Sequence, residues 1–312
     1  MKVLITGGLG FLGSKLVKEY IEQNVHVIII DNESTSCIKA SAFNSSLVEF
    51  HKLDLAQLSN SDIELLKEKI KDCDFIYHFA SAVGVKYIND NPKEAIQKMY
   101  KSNLNCFEIF KAFNKPVIFA STSEVYGDNS NAKESDDLHV KNPVYLRGGY
   151  ASAKIMAEYL IQTYNFPFLI LRFFNVTGMG QLPDYGMVLP KFIQMAKEGK
   201  PLTVFNDGSQ IRSFCDVRDA VNAVFTLVHK KKIFNEVFNI GNSQNTVTIK
   251  GLAQKVVALS SSQSSITFQD FNQYYQKHTH EINTRAVNDD KIRQHYQPQY
   301  GIDDIIQSFL EK

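Results

Sequence analysis

The chain opens on a strand that breaks into glycines. Lys2–Thr6 (KVLIT) is a short apolar run, and Gly7, Gly8, Leu9, Gly10, Phe11, Leu12 and Gly13 follow at once. Beyond them Leu16, Val17, Tyr20 and Ile21 recur at helical spacing within Ser14–Gln23. A G-x-G-x-x-G series on a strand-to-helix turn demands a tight turn, bare backbone where a pyrophosphate approaches, and close helix–strand packing. Gly7 or Gly8 serves the turn, Gly10 the approach and Gly13 the packing. The free amides at the helix start then face the phosphates.

A second strand, Val25–Ile30 (VHVIII), ends in Asp31. That carboxylate stands ~20 residues beyond the glycines, where the adenosine ribose of a dinucleotide presents its hydroxyls. An acid there repels a 2′-phosphate, and no arginine follows it, so the pattern favours NAD over NADP.

Bulk properties exclude several classes. With 34 Lys+Arg against 33 Asp+Glu, the net charge is +1, so no basic field recommends a nucleic acid or an anionic membrane. The basic run 229–232 is short and reads as a solvated helix end. No apolar stretch approaches the ~20 residues of a membrane span. The chain enters its first strand without a signal-peptide pattern. Cys37, Cys73, Cys106 and Cys215 are scattered, with neither CxxC nor metal spacing. The expectation is a cytoplasmic protein with reduced thiols and no metal.

Along the chain, strands are expected at Leu47–Leu53, Asp74–Phe79 and Pro116–Ala120, and long helices at Pro92–Phe113 and Gly149–Tyr164. Asp54, at a strand end, suits either an adenine amino group or the cap of the helix after Ser59. Ala80 and Ser81 are small enough for backbone to approach a ligand. Alternating strands and helices imply an α/β fold, a doubly wound parallel sheet with ligands beyond its carboxyl edge. Past Asn175 the texture changes. Helices are expected at Lys191–Glu198, Arg218–Val228, Ile249–Leu259 and Ile302–Leu310, with strands at Leu202–Phe205, Ser213–Asp216 and Glu236–Ile240. This reads as a first domain over 1–175, with returning segments from about 210–245, and a smaller α/β substrate lobe over 176–312.

Tyr150 and Lys154 stand four apart in an expected helix, hence on one face. A phenol of reference pKa near 10 is a poor base at neutral pH. A neighbouring ammonium stabilises the phenolate and brings the pKa down. Thr122 or Ser123, leaving the strand at Ala120, could hydrogen-bond the hydroxyl that such a base deprotonates. The result is a base that removes a hydroxyl proton while hydride leaves the carbon for NAD⁺.

These stretches together (TGGLGFLG at Thr6–Gly13, Asp31–Asn32, STSEVYG at Ser121–Gly127, YASAK at Tyr150–Lys154 and RFFNVTG at Arg172–Gly178) resemble an extended short-chain dehydrogenase/reductase with a Rossmann fold. Within it the chain is similar to the NAD-dependent nucleotide-sugar epimerase/dehydratase family. Ser121–Asp128 and Pro201–Phe214 look most like UDP-glucuronate decarboxylases.

The resemblance implies that Gly7, Gly10 and Gly13 hold the pyrophosphate, with Phe11 and Leu12 also binding the cofactor, Asp31 and Asn32 the ribose, and Asp54 and Leu55 the adenine. Ala80 and Ser81 complete the cofactor wall. Tyr150 is the base and Lys154 its partner, with Thr122, Ser123 and Glu124 around the hexose. Asn175, Val188, Leu189, Thr203, Phe205, Arg212 and Arg285 match positions that hold the nucleotide sugar. The family also implies a homodimer through the two long helices.

Ser123 stands where dehydratases carry Asp, which disfavours 4,6-dehydration. The Tyr-Ala-Ser-Ala-Lys helix differs from the Tyr-Asp-Glu-Gly-Lys of decarboxylases, so a UDP-sugar 4-epimerase is the alternative reading. A non-catalytic NAD-sensing protein is a third, disfavoured by the intact Tyr150 and Lys154.

Overall fold

The computed structural model describes residues 1–82, 85–146, 148–183, 187–229, 233–274 and 282–311. The first half alternates strands and helices: β1 (Lys2–Thr6), α1 (Phe11–Glu22), β2 (His26–Asp31), β3 (Val48–Lys52), α2 (Asn60–Lys71), β4 (Phe75–His78), α3 (Val85–Asp90), α4 (Pro92–Phe110), β5 (Val117–Thr122), α5 (Gly148–Ile161) and β6 (Phe168–Phe173). The second half contributes β7 (Val176–Thr177), α6 (Val188–Lys197), β8 (Leu202–Phe205), β9 (Ile211–Ser213), β10 (Cys215–Asp216), α7 (Val217–His229) and β11 (Glu236–Ile240). The chain ends with β12 (Thr246–Thr248), α8 (Ile249–Leu259), β13 (Ile266–Gln269), α9 (Phe271–Tyr274), β14 (Thr284–Arg285), α10 (Asp290–Arg293) and α11 (Ile302–Leu310).

Seven parallel strands form one sheet in the order β11-β6-β5-β4-β1-β2-β3. Side chains alternate across it. Val3, Ile5, Val27, Ile29 and Leu171 join a core with α1 and α7, whereas Leu4, Ile28, Ile30, Ile76 and Phe119 face α2, α4 and α5. A strand buried on both faces has no polar side, which explains the continuous apolar runs. Each fully buried Ile or Leu is worth roughly 1.5–3 kcal/mol. Because β2 lies on one side of β1 and β4 on the other, the chain diverges at the β1/β4 carboxyl edge and opens a crevice there.

Two expectations shift. The strand foreseen at Ser213–Asp216 breaks at Phe214: β9 pairs with β12 and β14, and β10 pairs with β7. β6 falls where periodicity assigns nothing, because a short apolar run is ambiguous until its neighbours are known. A separate core of Leu189, Phe192, Leu202, Val204, Leu252 and Ile305 supports the smaller lobe. Arg147, 184–186, 230–232 and 275–281, including the end of the basic run, lie outside the described residues.

Candidate active site

A cavity of ≈ 800 Å³ occupies the carboxyl edge of the sheet. One wall is the glycine turn. Gly7 adopts φ +72°, so it is Gly7 that makes the tight turn, and its amide donates to Ile30 O at 2.8 Å. A Cβ on Gly7 would stand 2.7 Å from Ala80 N, and one on Gly13 only 2.2 Å from Gly7 O. At Gly10 a Cβ would meet Gly7 O alone, at 3.2 Å. α1 begins at this turn without a side-chain cap, which leaves its first amides to a ligand.

Phe11, Leu12, Asn32, Leu55 and Ala80 line the same wall. Asp31 at the end of β2 accepts from Leu9 N at 3.0 Å and Glu33 N at 2.8 Å, which ties the strand end to the glycine loop. Asp54 accepts from Ala56 N at 3.0 Å. The α2 cap is filled by Ser59 and Asp62 in a capping box, so Asp54 has no part in it. Ser81 Oγ is buried in this wall without a hydrogen-bond partner among the described residues. Bare glycine backbone, an uncapped helix start, a strand-end carboxylate and an orphaned hydroxyl fit a dinucleotide.

The opposite side of the crevice carries the titratable groups. Thr122 caps a single 3₁₀ turn, Ser123–Tyr126, by accepting from Glu124 N at 3.2 Å, and this turn aims Ser123 and Glu124 at the cavity. Tyr150 and Lys154 reach it from α5. The Lys154 ammonium, 2 % exposed, donates to Ala120 O at 2.7 Å and lies 4.9 Å from the Phe119 ring centre. Burial brings its pKa down to about 8, against the pull of Glu158. His78 of β4 is buried between Thr6 Oγ1 (2.9 Å) and Asn103 Oδ1 (3.0 Å). Burial and the Lys154 charge hold it down to about 3, so it is neutral.

The smaller lobe closes the cavity. Asn175 takes φ +37° and donates to Ser213 O at 2.9 Å. Val188 and Leu189 open α6, while Thr203 and Phe205 lie on β8. Arg212 and Arg285 are register partners on β9 and β14. The Arg212 guanidinium donates to the carbonyls of Ile211 (2.7 Å) and Ile282 (2.6 Å). Arg285 Nη1 lies 3.3 Å from Glu124 Oε1, an ion pair that joins the lobe to the β5 end. Every site residue singled out in the sequence borders this one cavity.

One buried group escapes the motif reading, Glu158, whose ion-pair partner is Arg172, the first residue of the RFFNVTG stretch; both are buried behind the cavity. The linear signal for Glu158 is that it falls one helical turn after Lys154.

The family model for the NAD dependent epimerase/dehydratase family matches residues 3–241. The chain is 31% identical to UDP-N-acetyl-alpha-D-glucosaminuronate decarboxylase of Bacillus cytotoxicus, over 99% of this chain and 98% of that protein. It is 30% identical to UDP-glucuronic acid decarboxylase 1 of Danio rerio, over 86% of this chain and 62% of that one. Among solved structures, UDP-glucuronic acid 4-epimerase from Bacillus cereus superposes with TM-score 0.84 at 26% identity, covering 99% of this chain and 97% of that one. The match of the family model over most of the chain, on a fold whose glycine turn suits a dinucleotide, makes this chain a member of the NAD-dependent epimerase/dehydratase family of extended short-chain dehydrogenases/reductases.

Proposed function

We propose that this enzyme oxidises C4 of a UDP-linked hexuronate and then decarboxylates it. The observation that carries the reading is the Glu124–Arg285 pair, which borders the same cavity as Tyr150 and Lys154. A hexuronate brings a C6 carboxylate to its site. Glu124 alone would repel it, and the adjoining guanidinium of Arg285 offsets that charge. Arg212, in register beside it, gives the lobe a second cationic fork suited to a pyrophosphate.

In this reading Tyr150 takes the C4 hydroxyl proton, and Lys154 stabilises the phenolate as it forms. Thr122 and Ser123 orient that hydroxyl. NAD, when bound, accepts hydride from C4 and can return it. The 4-ketone turns the sugar into a β-keto acid. The electron pair of the C5–C6 bond passes into the carbonyl as CO₂ leaves, and C5 then takes a proton from solvent, a transfer for which Glu124 is the candidate relay.

The second reading, a UDP-hexuronate 4-epimerase, is favoured by the likeness to the Bacillus cereus enzyme and by the YASAK helix. The test is incubation with UDP-glucuronate and UDP-N-acetylglucosaminuronate, followed by NADH absorbance and product mass. Loss of CO₂ supports decarboxylation, and an isomer of unchanged mass supports epimerisation. Glu124→Gln sharpens the choice. It should still reduce NAD⁺ and accumulate a 4-keto species, whereas a pure epimerase would keep most of its turnover.

The reading extends to assembly and location. α4 and α5 pack side by side and expose Ile96 and Tyr100 from one, Met156 and Tyr159 from the other. An apolar face on paired helices suits a homodimer, testable by light scattering at micromolar concentration. Four unpaired cysteines agree with a reducing cytoplasm, and no described helix is long and apolar enough to cross a membrane. Residues 1–175 with the returning strand β11 would form the cofactor half, and the rest the sugar half.

A further inference from the structure

A buried pair of opposite charges ties the catalytic helix α5 to the strand β6. Glu158 is 2 % exposed and Arg172 4 %. Tyr150, Lys154 and Glu158 follow one another at single helical turns on one face of α5. The Ser121 hydroxyl donates to the Glu158 carboxylate. Arg172, the register partner of Ser121 on β6, grips the same carboxylate through Nε at 3.1 and 3.2 Å and Nη2 at 2.7 Å. Its Nη1 donates to the Tyr126 hydroxyl at 2.7 Å, and that hydroxyl donates to Asn239 Oδ1 at 2.8 Å. The network therefore spans β5, β6, β11 and α5.

Its position matters more than its strength. Lys154 is seated on the carbonyl of Ala120, and the next residue, Ser121, is the one Glu158 holds. Two consecutive residues of the strand end are fastened to two side chains one turn apart. A buried ion pair is a poor device for stability alone, because desolvation offsets its attraction.

We propose that Glu158, clamped by Arg172, is a positioning residue for the Tyr150–Lys154 pair. It fixes the β5 end that seats the Lys154 ammonium, and it places a negative charge one turn behind that ammonium. The proposal rests on the reading of Tyr150 and Lys154 as base and partner.

The surroundings agree. Burial brings Lys154 down to about 8, and Glu158 is the charge that opposes the fall. The other titratable groups nearby do not supply that charge. His78 is neutral, and Tyr150 is the group being served. Among the buried positions of α4 only Cys106 titrates, and burial pushes its thiol up. Arg172 stands behind Glu158, and Glu124 is paired with Arg285. Removing the Glu158 charge lets Lys154 lose its proton at lower pH. The Tyr150 phenolate then forms without a cationic neighbour, hence at higher pH.

The experiment is an ultraviolet titration of Tyr150, taken as the difference between each protein and its Tyr150→Phe counterpart, with and without NAD. Glu158→Gln keeps the side-chain size and an acceptor for Ser121. Its Tyr150 midpoint should rise by about one unit, a tenfold smaller phenolate fraction at neutral pH. The double variant Glu158→Gln/Arg172→Gln leaves no lone buried charge and guards against misfolding of the single one. It should show a shift of the same sign. An unchanged Tyr150 midpoint in the double variant, with only a lowered melting temperature, would overturn the proposal and leave the pair a structural strut. A shifted midpoint in a protein that fails to reduce NAD⁺ with either UDP-hexuronate would uphold the positioning role while refuting the proposed reaction.

Discussion

The two sides of the cavity are made of different material. Around Gly7, Gly10 and Gly13 the wall is backbone, built from the chain's first strand, turn and helix together with the ends of β2 and β4. Around Arg212 and Arg285 it is side chains, on strands that pair across a long stretch of sequence. Bare backbone has no room for a Cβ at Gly7 or Gly13 and is specified by neighbouring residues. A wall of side chains can be altered one group at a time. The first suits a constant cofactor, and the second is where related enzymes can diverge in sugar and reaction.

The division can be broken from either side. Tyr150→Phe, at the junction, should lower the rate of NADH formation by ~10²–10⁴-fold while NAD stays bound, as measured by stopped-flow absorbance and by the nucleotide content of the protein. Gly13→Ala forces a Cβ against the Gly7 carbonyl. At a cost of about 1–3 kcal/mol, NAD retention should fall ten- to a hundredfold, with UDP binding by calorimetry little changed. Arg285→Met should do the reverse. The KM for the nucleotide sugar rises about tenfold from the loss of a charge-assisted contact, and NAD content is unaltered. A parallel loss of both ligands in either variant would refute the separation.

The smallest effect is on pH. The buried Lys154 carries its charge below about 8 and loses it above. The rate of NAD⁺ reduction should therefore hold through neutrality and fall as pH rises through that value, toward tenfold per unit. A rate still rising at pH 9 would show that Lys154 is not the controlling cation.

Much of this architecture is legible in the linear chain, and the reasons are local. β1, β8, β11, α8 and α11 fall where apolar periodicity puts them, since each buries a face that its own residues define. Helix ends are less legible. The helix foreseen to Tyr164 ends at Ile161, where Thr163 and Tyr164 turn back onto the carbonyls of Leu160 and Ile161. β6 is invisible as a strand until β5 and β11 flank it. The choice between Gly7 and Gly8 for the turn is equally closed to the sequence, because it depends on which glycine meets Ala80, just past the end of the neighbouring strand β4.

The sequence by itself determined the glycine turn, the carboxylate at the end of β2, the Tyr150–Lys154 spacing on one helix face and the doubly wound order. In each case the interacting groups are neighbours along the chain or repeat at a helix or strand period. Only the tertiary structure decided that Glu124 meets Arg285, and that Glu158 meets both Ser121 and Arg172. A charge does not carry the name of its partner. Which opposite charge it meets is set by the packing of the strands and helices that bring the two together, and burial then makes that choice expensive to undo.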